Sequence, residues 1–189
     1  TSCARIMGEN SKSEVIDLKI KDNEKIKIEN IELKAMYTPG HTDCSYSYLM
    51  NDRVFTGDTL LIRGTGRTDF QNGDPKDSYN SIFNKLLKLP DQTQIYPAHD
   101  YKGEMVSTIL EERQFNPGLQ VKSVEEYVEI MNNLNLPDPK MMDVAVPSNL
   151  KLGIDLNRQK VNNGIEPEEF NKIKKEENTV LIDLREQNE

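Results

Sequence analysis

The stretch IELKAMYTPGHTDCSYSYLMNDRVFTGDT, residues 31–59, decides the fold. Ile31, Leu33 and Ala35 alternate with polar neighbours, the period of a strand with one buried face. A loop, Thr38-Pro39-Gly40-His41-Thr42, separates it from a second extended segment at Ser45–Met50. Asn51-Asp52 turns the chain into a short strand at Arg53–Thr56, which runs out at Gly57-Asp58-Thr59. Working upstream, Ile16, Leu18 and Ile20 alternate in the same way, as do Ile26 and Ile28, with turn-forming Asp22-Asn23 and Glu29-Asn30 between them. The expectation is an antiparallel sheet with one buried face.

Downstream the period changes. Ile82, Phe83, Leu86 and Leu87 fall at helical spacing from about Ser78, and Pro90 stops that helix. A short strand, Gln94–Tyr96, leads into Pro97-Ala98-His99. A second helix is expected near Glu104–Arg113, with Val106, Ile109 and Leu110 on one face. A third starts at Ser123, with Glu126 completing a capping box and Val124, Tyr127, Val128 and Met131 buried. Strands followed by alternating helices and strands predict a layered α/β (α+β) domain. Residues 137–163, with Pro137, Pro139 and Pro147 early and Asn157, Asn162 and Asn163 late, read as a linker or a covering arm. Glu166-Pro167-Glu168-Glu169-Phe170 opens a short helix and Thr179–Leu184 an apolar strand. These are too little to bury a core, so a second domain is expected to begin here.

Composition bounds the partners. The chain has 189 residues, 35% hydrophobic and 30% charged, with a net charge of −8. Its pI of about 5.0 argues against nucleic acid, because phosphate binding needs a basic surface. No apolar run has the length a bilayer requires. Two cysteines, Cys3 and Cys44, do not make a disulfide framework and suit a reducing compartment, with one bridge left open. The chain starts at Thr1 with no charged-then-apolar signal segment, and the reading is of a piece cut at both ends.

Histidine occurs twice, at His41 and His99. Each sits in a loop at the end of a β-like segment, and Asp58 ends another such segment between them. Loops at strand ends are where a rigid scaffold displays reactive groups. Imidazole with carboxylate suits zinc or ferrous iron, although a loop histidine can equally be a solvated one and Gly-Asp an ordinary turn. Cys44, three residues past His41, reads as a small buried residue at a strand start rather than as a ligand. Met141 and Met142 read as packing under the covering arm.

TPGHT, FTGD and YPAHD, in this order and at these separations, resemble the second half of the metallo-β-lactamase fold. Within that superfamily, Leu60–Phe70 (LLIRGTGRTDF), Ile95–Tyr101 and Asn133–Pro137 are similar to the persulfide dioxygenases. The likeness covers residues 1–153 and implies the C-terminal half of an αββα sandwich. Residues 154–164 are then a linker. Residues 165–189 resemble the first helix and strand of a rhodanese domain, whose sulfur-carrying cysteine would lie further on.

The resemblance implies one Fe(II), with zinc as the alternative, held by two histidines and an aspartate. His41 and Asp58 match two of these ligands. The third belongs to an HxHxDH-type motif expected upstream of Thr1. His99 matches a pocket histidine that binds a second metal in dinuclear hydrolase relatives, and is expected to be catalytic rather than a ligand. Arg67 and Tyr101 match residues that hold glutathione. For Arg67 the charge match with an anionic peptide is plain, yet Asp69 could occupy it instead, and Tyr101 could simply pack.

The function implied is oxidation of glutathione persulfide by dioxygen to sulfite and glutathione. The compartment implied is the cytoplasm, or the mitochondrial matrix in a eukaryote, and a homodimer is left open. Two alternatives stand beside it: a glyoxalase II-type thioester hydrolase with two metals, against which Arg63–Phe70 speaks, and an inert fragment or binding module. With one ligand motif absent, the 189 residues by themselves are expected to be inactive.

Overall fold

A computed structural model describes residues 4–13, 16–70, 72–137 and Pro147. The chain divides into a unit of residues 1–151 and a second of 152–189, and every described residue lies in the first. The linker at 154–164, the rhodanese-like helix and strand, Cys3, Met141 and Met142 lie outside the described residues.

The expected meander is present. Strands β3 (Lys25–Ile28), β4 (Ile31–Tyr37), β5 (Tyr46–Leu49) and β6 (Arg53–Gly57) pair antiparallel in sequence order. The link Glu29-Asn30 between β3 and β4 and the link Met50-Asn51-Asp52 between β5 and β6 close the hairpins, as their turn propensity predicts. Two further strands enlarge the sheet. Chain returning through helix α1 (Pro75–Asn84) and a single 3₁₀ turn (Leu86–Lys88) lays β9 (Gln94–Pro97) parallel to β6, and β10 (Ser107–Thr108) then pairs antiparallel with β9. The sheet is therefore mixed, in the order β10-β9-β6-β5-β4-β3. A helix-containing crossover is the connection parallel neighbours require.

Two small pairings stand apart from the large sheet. The alternating segment at residues 16–20, expected in the antiparallel sheet, contributes to one of them, because its backbone pairs parallel with an upstream strand. Strands β1 (Ile6–Gly8) and β2 (Leu18–Ile20) run parallel, and β7 (Leu60–Leu61) folds onto β8 (Gly64–Thr65) as a tight hairpin.

Helices α1, α2 (Ile109–Phe115) and α3 (Val124–Asn132) cover one face of the sheet. Alternation sends Leu49, Val54 and Ile95, register neighbours across β5, β6 and β9, toward Ile82, Leu86, Ile109, Tyr127 and Met131. Val54, Ile82, Leu86, Ile95, Ile109 and Tyr127 have no solvent exposure. The Tyr127 hydroxyl keeps a partner in Ser78 Oγ at 2.9 Å, and its burial pushes the phenol pKa up. The row Tyr48, Phe55 and Tyr96 falls on the opposite face. One sheet with one helical layer is half of the expected sandwich.

Two helix starts differ from the sequence reading. Helix α1 begins at Pro75, where the Asp74 carboxylate accepts from the amides of Lys76 and Asp77 and proline occupies the first position. Helix α2 begins at Ile109, not near Glu104. Thr108 caps it, its hydroxyl accepting from Glu111 N while the Glu111 side chain accepts from Thr108 N. Val106, placed on the buried face by helical spacing, is 45% exposed. For α3, Ser123 accepts from Glu126 N as expected, but the Glu126 carboxylate reaches Lys122 N, one residue further back.

These assignments are tested by two substitutions. Thr108→Ala should cost about 1 kcal/mol of unfolding free energy in urea melts, the usual value of a lost N-cap. Val106→Ala should stay within about 0.5 kcal/mol, as for an exposed residue. The reverse order would place the helix start upstream.

Candidate metal centre

All three loops of interest meet at one edge of the sheet. Strand β4 delivers Thr38–His41 there, β6 ends at Gly57 with Asp58 next, and parallel β9 ends beside it, pairing Pro97 with Gly57. The first loop is fixed from below. Thr38 is fully buried and its Oγ1 lies 2.9 Å from Ser47 Oγ. Gly40 has φ 137° and abuts α1 so closely that a Cβ would stand 2.3 Å from the Ser78 Cα. Ser81 Oγ donates to Pro39 O at 2.6 Å and Asp74 N to Gly40 O at 2.9 Å. Only glycine fits there.

The His41 ring is oriented by its backbone neighbour. Its Nδ1 lies 2.7 Å from the carbonyl of Arg67. A carbonyl only accepts, so Nδ1 carries the proton and Nε2 presents a lone pair. That Nε2 is 3.7 Å from Asp58 Oδ2. Two bonds of about 2.0–2.2 Å to one ion would bridge such a gap, so the pair fits a metal as donors. The other Asp58 oxygen, Oδ1, accepts from His99 Nδ1 at 2.7 Å. Among the described residues no group of three His, Cys, Asp or Glu side chains is placed to hold a metal. His99 is turned to the carboxylate instead of sharing its open side with His41.

These groups line the mouth of a cavity of about 690 Å³. Leu61, Phe70, Leu136 and Pro137 form its apolar wall, and Tyr101 stands at the rim, 81% exposed. The Tyr101 ring stacks parallel to His99 at 6.2 Å. Its loop is held by the Asp100 carboxylate, which accepts from the amides of Lys102, Gly103 and Glu104.

Arg67 reaches the cavity with its guanidinium already engaged. Nε and Nη2 each donate to the Asp69 carboxylate at 2.6 Å, Nη1 donates to Pro137 O at 3.0 Å, and the plane lies 4.0 Å over the Phe70 ring. The Asp69 alternative raised by the sequence is the arrangement found. It pins the segment after α3 as a wall of the cavity, a link across 70 positions that no local pattern announces. Cys44, expected to be buried at a strand start, is half-buried in the loop before β5, with Sγ 3.5 Å from Thr42 Oγ1.

Sequence reasoning missed Phe70, Asp100, Leu136, and the Arg63, Glu112 and Asn116 group behind the hairpin. Of these, Asp100 alone carried a readable signal: an aspartate ahead of Lys102-Gly103 is a turn former.

Comparison with known proteins follows the geometry. The profile described as the Metallo-beta-lactamase superfamily matches residues 6–99. The human protein "Persulfide dioxygenase ETHE1, mitochondrial" is 49% identical over 140 residues, covering 73% of this chain and 55% of that protein. The chain thus spans about half the length of the curated relatives it matches. The crystal structure of ETHE1 from Myxococcus xanthus superposes with a TM-score of 0.76 at 46% identity, covering 79% of this chain and 66% of that one. A hydroxyacylglutathione hydrolase from Dictyostelium discoideum is 36% identical over 104 residues, 51% of this chain and 38% of that protein. Among the described residues no helix is long and apolar enough to cross a membrane.

The engaged Arg67 makes a pH prediction. Its hydrogen bonds hold the Asp69 carboxyl below its ordinary value. A depressed carboxylate pKa means that the pair is fully formed above the ordinary value of about 3.9, and is lost only as pH falls through the lowered one. An NMR titration of the Asp69 carboxyl carbon should show a midpoint below about 3.9 that rises in Arg67→Met, because the guanidinium is the largest cause of the depression. Equal midpoints in the two proteins would mean that the pair does not form in solution.

Proposed function

From the premise that residues 6–99 belong to the metallo-beta-lactamase superfamily, we propose that the holoprotein is an iron-dependent sulfur dioxygenase acting on glutathione persulfide. The balanced reaction takes glutathione persulfide, dioxygen and water to glutathione, sulfite and protons. The likeness to persulfide dioxygenases, at 46–49% identity, supports this over the more distant hydrolases. The observation that carries the metal reading is the His41 ring, fixed through Nδ1 so that Nε2 faces Asp58 across 3.7 Å.

In this reading His41 Nε2 and Asp58 Oδ2 are two of three protein donors, and the third comes from outside the described residues. A two-histidine, one-carboxylate set suits Fe(II) and leaves positions for substrate. Bound iron would supply the electron transfer that dioxygen chemistry needs. The rest falls to the protein. His99, holding Asp58 Oδ1 through Nδ1, keeps the carboxylate turned to His41 and offers Nε2 to a proton of the persulfide or water. Tyr101 and Arg67 bind the peptide part of glutathione. A substrate carboxylate would share the guanidinium with Asp69 or displace it, which makes this contact an exchange of ion pairs. The Leu61, Phe70 and Leu136 wall excludes water from the reacting sulfur. For a eukaryotic source we place the reaction in the mitochondrial matrix, as the names of the human, mouse and bovine relatives indicate a mitochondrial site.

Oxygen uptake and sulfite formation by the iron-loaded holoprotein test the reading. His41→Ala and Asp58→Ala should each lower iron content and abolish turnover. Full iron retention in both variants removes these ligands from the scheme. Two metals per chain, with hydrolysis of a glutathione thioester and no oxygen uptake, would favour the hydrolase alternative.

Arg67→Ala should raise the apparent KM about tenfold or more with iron content unchanged, the scale of one charge-assisted hydrogen bond of about 1.5–3 kcal/mol. An unchanged KM would leave Arg67 as a purely structural clasp for residues 136 and 137.

A further inference from the structure

Behind the candidate centre lies a carboxylate with no solvent exposure, Glu112 on α2. Its Oε2 accepts from Arg63 N at 2.8 Å and from Asn116 Nδ2 at 2.7 Å. Its Oε1 accepts from Ser107 Oγ at 2.6 Å and from Arg63 Nη1. Four donors fill its acceptor positions, and the Arg63 charge balances it. Asn116, also fully buried, donates to the Gly64 carbonyl at 2.9 Å. Every one of these partners except Ser107 belongs to the β7–β8 hairpin or is Asn116, the residue that caps the end of α2.

The hairpin turns at Ile62-Arg63, and Arg63 has φ 54°. Glycine adopts that left-handed conformation most readily. An arginine there is accounted for by its two contacts with Glu112, one from the amide and one from the guanidinium. Past the turn, β8 runs directly into Gly66 and Arg67. Gly66 is wedged so tightly that a Cβ would stand 1.8 Å from Asp58 O and 3.2 Å from His41 Nδ1. The Arg67 carbonyl is the acceptor that fixes the His41 ring. A few residues of backbone therefore join Glu112 to the imidazole, with no slack between them.

We propose that Glu112 is a positioning residue for the metal centre, which through Arg63 and the β7–β8 hairpin holds the Arg67 carbonyl where it selects the Nδ1–H form of His41. The proposal rests on the reading of His41 as a ligand through Nε2. It adds a side chain, buried on a helix outside the cavity, that sets which nitrogen is offered to a metal, as partners behind metal-binding histidines do. A substitution at Glu112 that merely loosened the fold would leave His41's tautomer as it is in other equally destabilised variants.

The test reads the two histidine rings of the ¹⁵N-labelled 189-residue protein by long-range proton–nitrogen correlation, at a pH where both are neutral. Wild-type His41 should show the Nδ1–H tautomer. Glu112→Gln keeps the shape and loses the charge, and should raise the Nε2–H population about fivefold or more, the shift expected when the bias of one hydrogen bond is removed. Thr108→Ala loosens the same helix without touching Glu112 and should leave the tautomer unchanged. A folded Glu112→Gln protein with wild-type His41, or an equal change in Thr108→Ala, overturns the proposal.

Should Glu112→Gln fail to fold, hydrogen exchange in the wild type decides. The Arg63 amide and the His41 ring proton should be protected together, and free exchange at His41 beside a protected Arg63 refutes the link. Titration with Zn²⁺ of a longer protein that carries the third proposed donor separates this from the functional reading. A wild-type Nδ1–H tautomer whose Nε2 is untouched by zinc would support the positioning while removing His41 as a ligand.

Discussion

Parallel pairing of β6 with β9 is the constraint on which the centre depends. Two strands that run the same way end at the same edge, so Asp58 and His99, separated by 41 positions, are brought within 2.7 Å. The antiparallel neighbours β4 and β5 add His41 at that edge for the same geometric reason: β4 ends there and β5 begins there. Crossover through α1 makes the parallel pair possible and also supplies Ile82 and Leu86 to the core beneath it. One topological choice thus sets both the packing and the chemistry.

Around that edge the protein spends its polar contacts on orientation. His41 is held through Nδ1 by a carbonyl, Asp58 through one oxygen by His99, and the Tyr101 loop by the Asp100 carboxylate. The rigidity comes from close approach as well as from hydrogen bonds. Gly40 against α1 and Gly66 against Asp58 leave no room for a side chain, so neither loop can relax without moving its neighbour. Such tight support suits a site whose donors must hold a metal at fixed distances.

Arg67 shows how a charge can serve two ends. Its engagement with Asp69 and with the carbonyls of residues 136 and 137 closes one wall of the cavity. In the proposed function the same guanidinium meets an anionic peptide, so closure of the wall and capture of substrate draw on one group. The Phe70 ring beneath it keeps the plane in register whichever carboxylate it binds.

The sequence by itself determined what depends on neighbours along the chain. Alternation in residues 25–57 settled the meander, turn formers at 29–30 and 51–52 settled its hairpins, and the loop positions of His41, Asp58 and His99 marked the candidate centre. Resemblance through LLIRGTGRTDF added the family. Where local signals competed, they misled: helical spacing placed the start of α2 too early, because the Thr108 cap outweighs a periodicity that happens to include Val106. Tertiary structure alone decided that the sheet is mixed, that Arg67 pairs with Asp69, and that Glu112 is buried. A glutamate on a charged helix reads as solvated, and Arg63 lies 49 positions away from it. Contacts of that separation leave no period in the sequence, since each residue's fate is set by a surface that exists only once the sheet has closed over it.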